Sequence, residues 1–525
     1  MSHDGVSRRF FFFGSLFAGA VPAVGFGTEP SLKALGYKSP NEKLNIASIG
    51  AGGKAASDIA ACSVTENIVA LCDPDQKRAQ GMFTRFDKAP KYADFRKMLD
   101  KEDKNIDAVI VAIPDFMHGT AAMWVMERGK HIYCQKPLTR TIFEARSLAQ
   151  AAAKYKVATQ MGNQGYSNEG TRRVAEMIWA GAIGNVTEVH AWTNRPVWPQ
   201  GLQELPTPEP VPATMDWDTW LGISNERPYS PAYAPFNWRG WFDFGCGALG
   251  DMACHILGAP NMALMLGAPT SVECVKQEDK SPYTYPKKSV IRFDFPARAN
   301  MPAVKVFWYD GCMEAPFRPE GISKDEVLGD LPRKRMANGE RPTITPAMMA
   351  GMPTPEPDWS KEWERGIETD EQRAEAEKRA EEAAARASTS QDPNARLNAN
   401  VSRMISRGSN GSLFVGDKGY ITAGTYGENA RLLPVEQMKD YKFPPELLTR
   451  SPGHYRDWIR SCKGGDPACS NFSISGPFTE WVLLGTLALR FEGKLEWDSA
   501  KMRVTNNADA NKLIKPTFRK GWQFS

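Results

Sequence analysis

Residues 44–57 read LNIASIGAGGKAAS, and the way that stretch divides decides the fold class. Residues 44–49 are a short apolar run with β-branched members, the mark of a buried strand. The run ends at Gly50-Ala51-Gly52-Gly53-Lys54-Ala55, a GxGxxA pattern that opens into helix-compatible sequence. Gly50 permits the tight turn, Gly52 lets backbone approach a pyrophosphate, and Ala55 lets helix and strand pack closely. The free N–H groups at the helix start then face the phosphates. A Gly-rich loop alone often does no more than turn the chain. Here a second strand, 68–72, ends at Asp73, twenty-one residues after Gly52. An acidic residue there accepts hydrogen bonds from a ribose 2′-hydroxyl and repels a 2′-phosphate. The stretch therefore predicts a dinucleotide site on Gly50, Ala51, Gly52, Gly53, Lys54 and Asp73. NAD is favoured, with NADP as the weaker alternative.

At 525 residues the chain is long for one core, so two domains are expected. The apolar fraction of 42% and charged fraction of 24% are those of an ordinary soluble globular protein. A net charge of +4 is small for this length and gives no reason to expect nucleic acid as a partner. Residues 1–30 read as a targeting segment: Ser7-Arg8-Arg9-Phe10-Phe11 is a twin-arginine pattern, followed by an apolar run over 10–26. That route exports proteins already folded around a cofactor, which suits a tightly held dinucleotide in a periplasm where NAD is scarce. Cleavage is expected between Ala20 and Ser31, and no Cys is present there for a lipid anchor. Beyond this segment no apolar run is long enough to span a membrane, so no stable anchor is expected after cleavage. The nine cysteines form no CxxC pair, and no metal site is expected. Cys462 and Cys469 are close enough for a disulfide but are expected to be free.

Downstream of Asp73, helix over 74–86 is followed by a short element and helix over 92–99 and a third buried strand, IDAVIVAI, over 106–113. That strand ends in Pro114-Asp115-Phe116-Met117-His118, with a helix expected over 119–129 and Asp115 as its N-cap. A fourth strand, 131–134, ends in Gln135-Lys136-Pro137; helix over 141–156 and a fifth strand over 157–161 complete the alternation. Alternating strands and helices with buried runs predict an α/β fold, here a doubly wound parallel sheet. Function in such sheets sits beyond the carboxyl ends of the strands. Gly50, Asp73, Pro114, His118, Gln135 and Lys136 all fall there.

The order GAGGKA, Asp73, IPDFMH (113–118) and QKPLT (135–139) closely resembles the Gfo/Idh/MocA oxidoreductases, the glucose–fructose oxidoreductase and inositol dehydrogenase family. The resemblance continues through Met161-Gly162-Asn163-Gln164, an amphipathic helix over 170–181, and GCGALGDMACH at 245–255. It covers 44–310 well and 410–500 more loosely, and is nearest to exported members with a twin-arginine signal. It implies a Rossmann domain over 44–165 and an α+β domain over 166–500. The second domain's open, mostly antiparallel sheet would cover the nicotinamide and make homo-oligomer contacts, as a dimer or tetramer. Strand-like segments at 186–192, 271–276, 289–295 and 303–308 fit that sheet. Residues 310–410 read as an insertion, Pro-rich over 351–358 and Glu/Ala/Lys/Arg-rich over 370–387. A returning hairpin is expected over 412–421, helices over 455–461 and 478–491, and a tail over 501–525. One departure is plain: the family motif is usually Glu-Lys-Pro, and here it is Gln135-Lys136-Pro137.

Hydride transfer from a sugar carbon needs a base for the hydroxyl proton and a positive neighbour for the developing oxyanion. Lys136, set beside the nicotinamide by its strand end, suits either task; a surface lysine in a salt bridge is the plainer alternative. Asp251 and His255 are four apart and share a face if 249–265 is one helix. An isolated pair at that spacing is usually a simple salt bridge. The resemblance instead implies His255 as acid/base and Asp251 as a ligand of substrate hydroxyls. Pro114, His118, Gln135, Lys136 and Asn163 join the cofactor site, His118 by packing. Trp192, Trp198, Trp238 and Trp241, with Arg195 and Arg239, flank the Asp–His segment. Aromatic faces with interleaved donors suit a sugar ring, although core packing accounts for tryptophans equally well. Arg195, Trp198, Arg239 and Trp241 are the expected substrate contacts, with Asp251 and His255. The expected activity is NAD-dependent oxidation of a ring hydroxyl in a saccharide, glycoside or polyol. The rival is a glycosidase working by transient oxidation and elimination with the same cofactor, and a third reading is a non-catalytic sugar-binding protein.

Overall fold

The computed structural model describes residues 38–39, 41–331, 357–372, 374, 375, 378, 382, 385 and 410–523. The segment read as an export signal and the interval expected to hold its cleavage point, residues 351–356 of the Pro-rich stretch, and most of 370–387 lie outside the described residues.

Six strands, β1 (Asn45–Ile49), β2 (Asn67–Cys72), β3 (Lys91–Tyr92), β4 (Ala108–Val111), β5 (His131–Cys134) and β6 (Thr159–Met161), form a parallel sheet in the order β3-β2-β1-β4-β5-β6. β1 and β4 are buried almost throughout, as parallel strands covered on both faces must be. The connecting helices are α1 (Lys54–Cys62), α2 (Gln76–Arg85), α3 (Phe95–Glu102), α4 (Asp115–Glu127) and α5 (Ile142–Tyr155), and α2, α3 and α5 start at side-chain caps. Asp75 and Asp94 accept from the first turns of α2 and α3, and Thr141 and Glu144 form a reciprocal capping box on α5. This is the Rossmann strand order, and its reversal between β1 and β4 opens the ligand crevice.

The second sheet has nine strands. In chain order they are β7 (Val186–Trp192), β8 (Ser271–Glu278), β9 (Lys288–Phe295), β10 (Val304–Asp310), β11 (Gly411–Gly416), β12 (Gly419–Ala423), β13 (Arg431–Leu433), β14 (Lys494–Asp498) and β15 (Arg503–Val504). In space they run β13-β12-β11-β7-β10-β9-β8-β14-β15, antiparallel except for β7 with β10. The four strands and the hairpin expected for this sheet are all present. Together the two sheets give the α/β plus α+β architecture anticipated from the chain.

Further helices in chain order are α6 (Glu169–Trp179), α7 (Trp217–Leu221), α8 (Gly247–Ile256), α9 (Gly258–Ala263), α10 (Trp359–Glu362), α11 (His454–Cys462) and α12 (Phe472–Ala488). α12 lies against α5 and against the second sheet at once. Gly476 meets Ala149, and a Cβ on Gly485 would fall 2.6 Å from Leu249 and 2.8 Å from Phe293. An Arg146–Glu480 ion pair crosses the α5–α12 seam. α11 returns to the first sheet, where Tyr455, Trp458 and Cys462 pack with Ile46, Ile59 and Tyr133.

Three local expectations are corrected. α4 begins at Asp115, not near 119, and its N-cap is Pro114; Asp115 sits inside the first turn and accepts the Cys246 N–H at 3.2 Å instead. The expected helix over 249–265 is two helices, α8 and α9, divided at Leu257. α12 starts at Phe472, six residues before the expected start, because Asn471 caps it. Cys462 and Cys469 are free, as are the other seven cysteines. No helix among the described residues is long and apolar enough to cross a membrane.

Candidate active site

The glycine loop is a cradle that side chains would fill. A Cβ on Gly50, at φ +95°, would fall 2.3 Å from the Ala112 carbonyl oxygen, and one on Gly52 would fall 2.4 Å from Arg78 Cγ. Only glycine allows both approaches. At the end of β2, Asp73 is buried, and its carboxylate accepts N–H bonds from Ala51 and Asp75, each at 2.9 Å. Burial pushes its pKa up, and those two donors work against the rise. Lys54 extends from the first turn of α1 onto Asp58 and Tyr455 rather than out over the loop. Ala51 is buried beneath it, and Gly53 is the residue before α1.

Beyond β4 and β5 the chain brings Pro114 and Gln135-Lys136 to the same edge. His118 joins them from α4, with Nδ1 2.8 Å from the Pro137 carbonyl and Nε2 2.7 Å from that of Ile113. Burial lowers its pKa to about 4, so the ring is neutral and donates to one of the two at a time. It ties two loops together at this edge. Asn163, fully buried after β6, accepts the Ser470 hydroxyl at Oδ1 and leaves Nδ2 without a partner among the described residues. A buried amide donor left open in this crevice suits a polar ligand group.

α8 docks across these strand ends and carries the charged centre. Lys136 Nζ donates to Asp251 Oδ1 at 2.9 Å and to the Asp251 backbone carbonyl at 2.6 Å. Arg239 Nε lies 3.6 Å from Oδ1 and Arg195 Nε 3.9 Å from Oδ2. Burial pushes the Asp251 carboxyl up, but Lys136, Arg239 and Arg195 together outweigh it and hold the group well below the usual carboxylate range. One turn further on, His255 is 5% exposed, and its Nδ1 has no hydrogen-bond partner among the described residues. Burial, then Lys136, hold its pKa well below the ordinary imidazole value, so the ring is a neutral acceptor. Asp115 lies behind this cluster with its carboxyl pushed up to about 7 by burial, against the pull of Arg239 and Lys136.

The four expected substrate side chains divide. Arg195 and Arg239 converge on Asp251, and the Arg239 guanidinium lies over the rings of Trp238 (4.3 Å), Phe236 (4.7 Å) and Trp198 (5.8 Å). Trp241 instead donates to the Ala232 carbonyl at 2.9 Å and packs edge-on to Tyr233, part of an aromatic cluster with Phe244. Trp192 is a core residue with no exposure. Tyr426 is a member the sequence did not reveal. From the loop between β12 and β13 it sets its ring edge-on to His255, centroids 4.8 Å apart, and remains partly open to solvent. Among the described residues no group of three or more His, Cys, Asp or Glu is arranged to hold a metal ion.

Two family descriptions match. Residues 44–163 fit "Oxidoreductase family, NAD-binding Rossmann fold" and residues 176–283 fit "Oxidoreductase family, C-terminal alpha/beta domain". The first domain is thus an NAD-binding Rossmann domain, and its cradle, Asp73 and open Asn163 donor fit that group. A "Glycosyl hydrolase family 109 protein" of Solibacter usitatus is 31% identical over 176 residues, 31% of this chain and 39% of its own length. An "Inositol 2-dehydrogenase" of Salmonella typhimurium is 27% identical over 125 residues, 23% of this chain and 37% of its own. The chain thus aligns with under two fifths of the length of these curated relatives. The WlbA dehydrogenase of Bordetella pertussis, crystallised with NADH and UDP-GlcNAcA, shares the fold at 14% identity. Its TM-score is 0.51, over 87% of this chain and 99% of that one.

Proposed function

We propose that this chain, with its two segments matched to the Gfo/Idh/MocA oxidoreductases, oxidises one ring hydroxyl of a saccharide, glycoside or polyol to a ketone. The observation that carries this reading is the juxtaposition of Lys136, Asp251 and the unpartnered His255 Nδ1 at the strand ends beside the glycine cradle. NAD, when bound, supplies the hydride acceptor. His255, neutral and buried, takes the hydroxyl proton. The Lys136 ammonium faces the oxygen on which negative charge develops, and its two bonds to Asp251 fix it there. Asp251 accepts from a substrate hydroxyl, and Arg195 and Arg239 donate to its neighbours. Tyr426, 37% exposed, presents ring surface to the sugar's C–H face. The dehydrogenase relatives support a polyol or sugar substrate.

A second reading is favoured by the glycosyl hydrolase relative. A ketone acidifies the adjacent ring C–H, and His255 can then take that proton, so that elimination, water addition and re-reduction cleave the glycoside with no net redox change. The two are separated by denaturing purified protein to identify released dinucleotide, then incubating intact protein with sugars and aryl glycosides. NADH and ketone in equal amounts support the oxidoreductase; aglycone without net NADH supports the hydrolase. Absence of NAD binding overturns both and leaves a sugar-binding protein.

Residues 1–30 are read as a twin-arginine export signal on the strength of Arg8-Arg9 ahead of an apolar run. Retention in the cytoplasm should follow R8K/R9K substitution. Assembly as a dimer or tetramer through the open face of the second sheet is part of the same proposal, and light scattering of the purified protein tests it.

A further inference from the structure

The side chain at position 135, a glutamine in Gln135-Lys136-Pro137, faces a buried carboxylate. Asp58, on α1 and completely buried, faces the Gln135 side chain, whose Nε2 donates to Asp58 Oδ2 at 2.8 Å. Lys54 Nζ and the Tyr455 hydroxyl both reach Asp58 Oδ1, and they lie 3.0 Å from one another. The carboxylate therefore has an ammonium, a phenol and an amide as donors, the partners that a buried carboxylate needs. The amide is held in one sense by these contacts. With Nε2 on Asp58, Oε1 turns to the Lys136 backbone N–H at 3.3 Å and lies against Gly162, where a Cβ would fall 2.6 Å away. A glutamate at 135 would set a second carboxylate oxygen against Asp58 at the same separation. Two buried carboxylates so placed repel, and the second ionises only at a cost.

We propose that Asp58 and residue 135 are a coupled pair with room for one carboxylate between them, which in this chain is that of Asp58. There it acts as a positioning residue of the NAD site. It holds Lys54, the first residue of α1, to Tyr455 of α11, and it orients Gln135 so that the Lys136 backbone is fixed at the strand end. The proposal rests on NAD binding by the first domain and not on the reaction assigned to the site.

The test is a charge swap in the full chain stripped of cofactor, read by calorimetric titration with NAD and by the melting temperature of the unliganded protein. Q135E should weaken NAD binding about tenfold or more at pH 8, one pKa unit of coupling being a factor of ten, and recover affinity at pH 6, where the pair can share a proton. D58N should weaken binding by a smaller factor at both pH values. D58N/Q135E should return to within about threefold of wild type and lose the pH dependence that Q135E introduced. If Q135E is too unstable to titrate, restoration of folding by D58N supports the pair, and a double variant that also fails to fold overturns it. A Q135E that binds NAD like wild type at pH 8, or a double variant whose loss is the product of the single losses, overturns the proposal alone. Wild-type protein that takes up no NAD overturns the proposed function with it.

Discussion

Asp251→Asn keeps the shape of the side chain, removes its charge and replaces one acceptor oxygen with an NH2 donor. Lys136, Arg239 and Arg195, at 2.9, 3.6 and 3.9 Å, then face one another without their common counter-ion. Each contact at about 4 Å is worth roughly 4 kcal/mol at an effective dielectric near 20, and desolvation of the ions takes back much of that. Breaking a buried pair costs about 3–5 kcal/mol. The Asp251 side chain keeps 16% of its exposure and the amide retains a bond to Lys136, so about 2–4 kcal/mol is expected here. The sign follows from the depressed carboxyl. Its stabilisation is fully present above the unfolded value near pH 4 and is lost only as pH falls through the lower folded value. Urea melts should therefore show a constant deficit for the variant between pH 5 and 8 that closes in strong acid. Turnover should drop about 100-fold or more, from the loss of Lys136 alignment and of one substrate ligand, while the NAD dissociation constant stays within about threefold. A variant as stable as wild type at pH 7, with unchanged turnover, would refute the reasoning.

His255→Asn should lower kcat by about 10²–10⁴-fold with little change in NAD affinity, because the base is lost and the cradle is not; stopped-flow NADH absorbance together with NAD titration checks it. Asp73→Ser removes the carboxylate that accepts from Ala51 and Asp75 at the end of β2. It should weaken NAD about tenfold and narrow the preference over NADP, measured as the ratio of the two dissociation constants. Asp115 has its carboxyl raised to about 7, chiefly by burial, so the folded chain keeps a proton that the unfolded chain gives up near pH 4. Stability attributable to it falls as pH rises from about 4 to 7. Asp115→Asn should match wild type near pH 4 and be more stable by about 2–4 kcal/mol at pH 8, by urea denaturation.

What the sequence made legible was local. Residues 44–73 carry a strand, a turn and a second strand whose types are dictated within thirty positions, so the cradle and Asp73 could be placed in advance. Lys136, Asp251 and His255 were legible because motif order places each at a strand end or on one helical turn. Tyr455 was not, since nothing about its neighbours announces that it closes on Lys54 across 401 positions. Tyr426 is hidden for the same reason: a residue of the loop between β12 and β13 is far from His255 in sequence and meets it only in the folded chain. Trp241 shows the converse limit. Aromatic richness near a site motif does not distinguish a sugar platform from a core ring, and its indole N–H is already spent on Ala232. Asp115 reads as a helix cap in isolation, yet the Cys246 backbone N–H, which it accepts, arrives from the other domain.

That last contact points to how the site is assembled. α8 belongs by sequence to the second domain, but it is fixed to the first by two bonds at its N-terminal half: Cys246 N–H to Asp115, and Lys136 to the Asp251 carbonyl. α12 then clamps it from behind, with Gly485 admitting Leu249 of α8 and Phe293 of the second sheet to contact, while Gly476 and Glu480 meet α5 of the first. Lys136 and His255 come from different domains, so their separation is set by this docking and not by either domain alone. Packed interiors resist small displacements, and a shift of α8 costs both buried bonds. A reaction that needs a cation and a neutral base aligned on one hydroxyl gains from that rigidity, since misplacement by about 1 Å can cost a hundredfold in rate.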